Sequence, residues 1–238
     1  MKLIAPLVLA GISCAAPVLA GPHAGGSLIL HVNSDVVYTT DAESWCGSSG
    51  ITSCEDAVTQ ATASPDSIRV FFALAAFSEW STPRLRGITF GINYDSTAVA
   101  ILATGTCADF EISTPTWPSP NSGTALTWYQ PQTTHLTEVC WFAGYAYDES
   151  TPSSVALQAH PVQGGQFADD SVPAALDDIS GYGVLGFGMP GMIPGCGAGE
   201  WGGGGTGNAP DGGGGRRRWW TIRPSGPEDS GGPHGHQA

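Results

Sequence analysis

Short runs rich in Val, Ile, Phe, Trp and Tyr, separated by turn residues, recur through the middle of this sequence and leave little room for helix. The clearest is Gly87-Ile88-Thr89-Phe90-Gly91-Ile92-Asn93-Tyr94. Its strict alternation puts Ile88, Phe90, Ile92 and Tyr94 on one face, the pattern of a half-buried strand. Asp95-Ser96 then makes a turn, and residues 98–103 form the next strand. Residues 27–32 and 36–39 read as two short strands with Asn33-Ser34-Asp35 turning between them. The long apolar run 67–77 suits a strand buried on both faces, although its alanines also permit a helix. Residues 109–112, 124–129, 136–146, 154–160 and 181–187 complete the series, and only 55–62 and 172–178 look like brief helical turns. About nine strands with minimal helix predict an all-β chain folded as a single β-sandwich, of cohesin-like or jelly-roll type.

The first twenty residues predict export. Lys2 supplies a short positive region, residues 3–19 are apolar or small almost throughout, and Val18-Leu19-Ala20 presents small residues where a signal peptidase reads. Cleavage is therefore expected before Gly21, giving a secreted or cell-surface protein. A membrane anchor fits less well, because Pro6 and Pro17 interrupt the stretch and no basic stop-transfer residues follow it. Cys14 suggests a lipoprotein, but Gly11-Ile12-Ser13 lacks the leucine that such a site usually shows. No later segment has the ~18 apolar residues of a membrane-spanning helix.

Charge narrows the partners. Residues 21–196 hold three arginines (Arg69, Arg84 and Arg86) against seventeen carboxylates, and no lysine follows Lys2. Such a field repels phosphate backbones and anionic membranes, which excludes nucleic acid as an expected partner. It favours solubility and could draw divalent cations.

Five cysteines remain after residue 20, and an oxidising compartment would let them pair. Cys46 and Cys54 flank Gly47-Ser48-Ser49-Gly50 and read as a local clip. Cys107 and Cys140 lie in or beside strands and form the second expected pair, which leaves Cys196 as the odd one. Zinc-site spacing is absent.

Composition changes near Pro194. Residues 195–238 are dominated by Gly, Pro, Arg and Trp, including Arg216-Arg217-Arg218-Trp219-Trp220, and cannot bury enough apolar surface to fold. One reading is a basic, aromatic tail for polyanions or the cell surface. The other is a frameshift near Glu200-Trp201-Gly202, since a GC-rich gene read out of frame yields such residues. The expected organisation is thus a signal peptide over 1–20, a β-sandwich domain over 21–194, and a disordered or frameshifted tail over 195–238.

The segment Gly87 to Asp95, followed by Ala98-Val99-Ala100-Ile101, resembles the strand–turn–strand core of cohesin-like and carbohydrate-binding-type secreted β-sandwich domains. Val155 to Leu157 and Gly181-Tyr182-Gly183-Val184-Leu185-Gly186-Phe187-Gly188 fit the later strands of that pattern. Residues 27–188 also resemble a group of secreted bacterial proteins, many ending in a short Trp-Gly segment like Glu200-Trp201-Gly202. The resemblance implies a secreted β-sandwich domain. It transfers no site residue.

Catalytic chemistry finds little footing in these residues. His31, His135 and His160 have no Gly-x-Ser-x-Gly elbow to serve, and no His-Glu-x-x-His is present, so no catalytic residue is assigned. The carboxylate pairs Asp148-Glu149, Asp169-Asp170 and Asp177-Asp178 leave a glycosidase-like hydrolase as the alternative, which needs two facing carboxylates, one with a raised pKa. Asp169 and Asp170 are the candidate ligands of a calcium ion, and the competing reading is a solvated turn that caps the short helix following it, with Asp170 or Ser171 as the cap. Trp45 and Trp117, in loop-like contexts, are the candidate sugar-stacking side chains, while Trp128 and Trp141 are assigned to the core. The leading function is a non-enzymatic binding or structural module for an extracellular glycan or surface protein.

Overall fold

The computed structural model describes residues 21–196 and builds them almost wholly from strands. In chain order these are β1 (Ser27–Val37), β2 (Gln60–Ala61), β3 (Arg69–Ala76), β4 (Leu85–Tyr94), β5 (Val99–Thr106), β6 (Phe110–Ser113), β7 (Ser122–Gln132), β8 (Leu136–Ala146), β9 (Ser153–Gln158), β10 (Gln166–Ala168), β11 (Leu176–Asp178) and β12 (Val184–Phe187). The single helical element among the described residues is a 3₁₀ turn at Cys54–Asp56. The expectations for residues 1–20 and 197–238 lie outside the described residues.

Two sheets face each other, which makes the fold the expected β-sandwich. The smaller has the order β1-β3-β8-β5, and all its pairings are antiparallel. In the larger, β4 is central. On one side β4 pairs with β7, which continues to β6. On its other side Gly87–Thr89 pairs with β10 and then β11, while Gly91–Tyr94 pairs with β9, β12 and β2. The alternation in β4 has the predicted consequence: Ile88, Phe90 and Ile92 are buried against Phe71, Phe142 and Leu30 of the opposite sheet, in one apolar cluster. Leu126, Trp128, Val155, Leu157, Phe167, Leu185 and Phe187 fill the rest of that inner layer.

The run 67–77 is a strand, and it is buried on both faces as anticipated. Phe71, Ala73 and Ala75 enter the core between the sheets, while Val70, Phe72 and Leu74 join a second cluster on the outer side. That outer face is covered by the chain itself, because the β1–β2 connection folds back over it and seats Tyr38, Trp45 and Cys54 there.

Several local expectations are corrected. Asn33-Ser34-Asp35 does not end a strand. Asn33 Oδ1 accepts from Asp35 N–H, the register against β3 shifts between Val32 and Val37, and β1 runs on as a bulged strand. Residues 172–178 are not helical: Asp169 Oδ1 accepts from the N–H groups of Ser171 and Ala175, which turns the chain back so that β11 pairs with β10. The two-residue β2 and three-residue β10 and β11 are too short to show alternation. Gly195 and Cys196 belong to the domain rather than the tail, since Ser27 Oγ donates to Gly195 O at 2.6 Å and Cys196 is disulfide-bonded.

The cysteine pairing also differs. Cys46 bonds Cys107 across 61 residues, and Cys54 bonds Cys196 across 142. Cys140, expected opposite Cys107, is free and fully buried on the inner face of β8. Cys46 and Cys54 both sit on the connection that covers the smaller sheet, and each tethers it to a different distant segment, so a local clip between them does not form.

Candidate functional site

Because its own chain covers the outer face of the smaller sheet, the outer face of the larger sheet is the open one. Its composition follows from register. Paired residues point to the same side, so one row crosses five strands as Phe110, Thr127, Gly87, Ala168 and Leu176. The next row is Ile112, Ala125, Thr89, Gln166 and Asp178. With neighbouring strands about 4.8 Å apart, each row spans about 19 Å.

The rows have small residues in the middle and large apolar ones at the ends. Gly87, Ala168, Ala125 and Thr127 make a low floor. Phe110 (53 % exposed), Ile112 (60 %) and Tyr129 (70 %) stand along the β6–β7 side. Leu176 and Val172 stand exposed along the β10–β11 side. A depression of about 390 Å³ lies over Gly87, Thr127 and Ala168, closed at its end by Arg86 and the Asp169–Val172 loop. Exposed apolar side chains gathered on one face, with a polar rim, are the usual mark of an interaction surface. Among the described residues β6 pairs only with β7, which leaves its outer backbone edge unpaired by them.

Charges frame this face. Arg84 donates from Nε to Asp170 Oδ1 at 2.6 Å and pairs through its Nη2 with Oδ2 of the same carboxylate. That hydrogen bond, reinforced by each partner's opposite charge, holds the Asp170 pKa low and the Arg84 pKa high. Arg86 donates from Nε to the Trp128 carbonyl at 3.2 Å. Asp109 accepts the Tyr129 N–H at 2.7 Å, and Gln166 Nε2 donates to Asp178 at 3.0 Å. The rim is therefore acidic overall.

The candidate residues from the sequence do not come together. Trp45 is a correction: it is 7 % exposed, stacks on Tyr38 with ring centroids 5.1 Å apart, and meets Trp141 edge-on. Trp117 is half-buried, with its ring T-shaped against Phe90 at 5.6 Å and Phe142 at 5.8 Å, so it caps the core. Trp45 offers no free indole face. Trp128 and Trp141 are in the core as assigned, and Trp128 Nε1 donates to Cys107 O at 3.1 Å. Trp80, 93 % exposed in the β3–β4 turn, is the one tryptophan among the described residues that stands free.

Asp169 and Asp170 are adjacent, but Asp169 Oδ1 and both oxygens of Asp170 are engaged. Asp169 Oδ1 accepts from Ser171 N–H, Ser171 Oγ and Ala175 N–H, and both oxygens of Asp170 meet Arg84. Calcium needs six to eight oxygens, and among the described residues no group of three or more His, Cys, Asp or Glu could hold a metal ion. Asp169 Oδ1 and Ser171 Oγ hold this turn, which leads into β11 rather than the short helix expected to follow it.

Two members of the other carboxylate pairs, Asp148 and Asp177, are engaged by nearby donors. Asp148 accepts from Ser150 and Thr151, which lowers its pKa, and Asp177 turns inward to bind backbone N–H groups. Among the described residues every carboxylate with a displaced pKa is displaced downward (Glu55, Asp95, Asp148, Asp169 and Asp170), whereas a general acid at a glycosidic bond requires the opposite. His31 and His160 are occupied by backbone partners, and His135 meets Ser81 O.

Phe110, Ile112, Tyr129 and the Gly87–Ala168 floor were not expected from the sequence. Alternation in β4 already placed Gly87 and Thr89 on the outer face. The partners that flank them are fixed by pairings up to about eighty residues apart, which no local pattern shows.

No protein-family model matches the chain, and no curated protein matches it. Among solved structures it is similar to cohesin modules. A type II cohesin domain from the cellulosome of Acetivibrio cellulolyticus is 9% identical, with a TM-score of 0.45 over 69% of this chain and 95% of that one. A cohesin module from a family 33 glycoside hydrolase of Clostridium perfringens ATCC13124 is 8% identical, with a TM-score of 0.44 over 68% of this chain and 94% of that one. The Coh-OlpC–Doc435 cohesin–dockerin complex of Clostridium thermocellum matches at 10% identity and a TM-score of 0.40, covering 68% of this chain and 93% of that one. At these values the similarity concerns strand arrangement alone.

Proposed function

We propose that the protein is an extracellular or cell-surface binding module that holds a partner protein against the outer face of its larger sheet. The observation that carries this reading is the pair of cross-strand rows, with small side chains at the centre and Phe110, Ile112, Tyr129, Leu176 and Val172 exposed at the ends. Such a trough fits an extended or helical segment bearing apolar side chains. The rim carboxylates Asp109, Asp169 and Asp178 favour basic flanks on that segment. Export, read from residues 1–20, and two disulfides suit an oxidising location.

The test places a photo-crosslinking amino acid at Thr127 in the full exported chain, in the cells that make it. A discrete, protease-sensitive adduct is expected. It should be lost on F110D and absent when the crosslinker sits at Val162, in the exposed β9–β10 loop. No adduct at Thr127 would overturn the reading, and so would an adduct removed by glycosidases but not by protease, which assigns the face to a glycan.

A further inference from the structure

A single carboxylate ties residues 21–23 to the far edge of the larger sheet. Gly21 N–H donates to Asp177 Oδ1 at 2.8 Å, and His23 N–H donates to Asp177 Oδ2 at 2.9 Å. Asp177 is the middle residue of β11, so alternation turns it inward between the outward Leu176 and Asp178. His23 is completely buried, its ring 5.1 Å from that of Phe77 and 6.0 Å from that of Phe167. Its Nε2 accepts from Arg84 N–H at 3.1 Å, which puts the imidazole hydrogen on Nδ1. That nitrogen is 3.8 Å from Asp177 Oδ2 and has no hydrogen-bond partner.

This corner holds a carboxylate out of water with two amide donors and a neutral imidazole around it. A buried carboxylate in that setting is under-compensated, because full charge balance needs a cation. The surrounding groups sharpen the imbalance. Asp169 and Asp170 also act on this corner, and the nearby cation, Arg84, is engaged by Asp170. Space is restricted as well: a Cβ on residue 21 would lie 2.3 Å from Asp177 Oδ2, so a larger residue there would displace the carboxylate. The nitrogen that meets Asp177 is the one that the Val18-Leu19-Ala20 motif would free.

We propose that hydrolysis of the Ala20–Gly21 bond completes this corner, the new α-ammonium of Gly21 docking on Asp177 as a shielded ion pair. An endopeptidase adds water across that one peptide bond. The hydroxyl goes to the Ala20 carbonyl carbon and leaves a carboxylate, and Gly21 nitrogen gains the protons of an ammonium. The amide N–H···O⁻ bond, charged on the acceptor side alone, becomes an ion pair charged on both sides. Processing thereby fastens the start of β1, in one sheet, to β11, in the other. The inference is independent of any partner on the outer face.

The chain offers a clean readout, since Lys2 is its one lysine and the processed protein would carry the Gly21 α-amine as its single primary amine. Intact mass of the exported full chain should place the first residue at Gly21. Labelling with a small amine-reactive ester should reach one amine per chain in guanidinium. In the native state at pH 8 it should run at least tenfold slower, with an amine pKa above the ordinary ~7.7–8.0. D177N should restore the labelling rate. A terminus at another residue, or native labelling as fast as unfolded with an ordinary pKa, overturns the proposal. Should D177N fail to fold, the labelling profile of the native protein against pH decides alone.

Discussion

The indole of Trp45 stands edge-on against that of Trp141, with ring centroids 4.7 Å apart and planes inclined at 61°. Trp141 lies on β8 and Trp45 on the long β1–β2 connection, so this contact is where the covering loop grips the smaller sheet. W45A should therefore act on stability, at a cost of about 3–5 kcal/mol, as is usual for removing a buried Trp. Guanidinium unfolding followed by far-UV dichroism checks it. A change below about 1 kcal/mol would mean that the loop does not depend on this contact.

Thiol chemistry tests the cysteine assignment directly. A non-reduced peptide map should link Cys46 to Cys107 and Cys54 to Cys196. Cys140 is completely buried and its pKa is pushed up to about 12 by that burial. A thiol reagent at pH 8 should find no reactive cysteine after residue 20 in the native protein and one in denaturant. Replacing either bonded pair with serines should cost about 4–5 kcal/mol in the chain-entropy account, because both loops are long. Recovery of a Cys46–Cys54 peptide would refute the pairing.

Two glycines on β4 should behave in opposite ways. A Cβ on Gly91 would meet Ser122 O at 2.6 Å and Ala159 O at 3.0 Å, backbone atoms that cannot swing aside. G91A should lose about 1–3 kcal/mol. A Cβ on Gly87 would find only ordinary contacts, the nearest at 3.5 Å, because it opens onto the trough. G87A should stay within about 0.5 kcal/mol of the parent. Equal losses in the two variants would contradict the difference in their surroundings, crowded by backbone at Gly91 and open at Gly87.

Acid should weaken the fold in two stages. His31 Nδ1 accepts from Val58 N–H, so Nε2 carries the hydrogen and donates to Ser49 O. Burial lowers the pKa of His31 and of His23 below the ordinary value near 6.5. A lowered folded-state pKa means that the unfolded chain takes up protons first as pH falls. The contribution of these neutral rings is therefore complete above about pH 6.5 and is lost below it. The lowered carboxylates Asp95, Asp148 and Asp169 contribute above their ordinary range near 4 and lose that contribution below it. Urea midpoints at pH 8, 6, 5 and 3.5, with imidazole C–H shifts followed by NMR, separate the two stages. A flat midpoint from pH 8 to 5 would count against the histidine stage.

Most of the β3, β4 and β8 strands is legible in the residues alone, because each carries its own period or an unbroken apolar run. Pro115, Pro118 and Pro120 likewise mark the loop that leads into β7. The misreadings share one cause: they depend on which distant segments meet. Trp45 reads as an exposed loop residue because the loop's own sequence does not reveal the outer face of β3 and β8 that it covers. Cys46 and Cys54 read as a pair because they are close in sequence, yet Cys107 and Cys196 are brought to them only when β5 and the segment after β12 are in place.

The amino-acid order by itself determined the all-β class, the faces of the principal strands, the acidic surface and the export-like first twenty residues, since these rest on local period, composition and charge. Tertiary structure alone decided the disulfide pairing, the covered and open sheet faces, the five-strand trough and the meeting of Gly21 with Asp177. Those features are set by register between strands far apart in sequence, and register is fixed by the joint packing of both sheets rather than by any one segment.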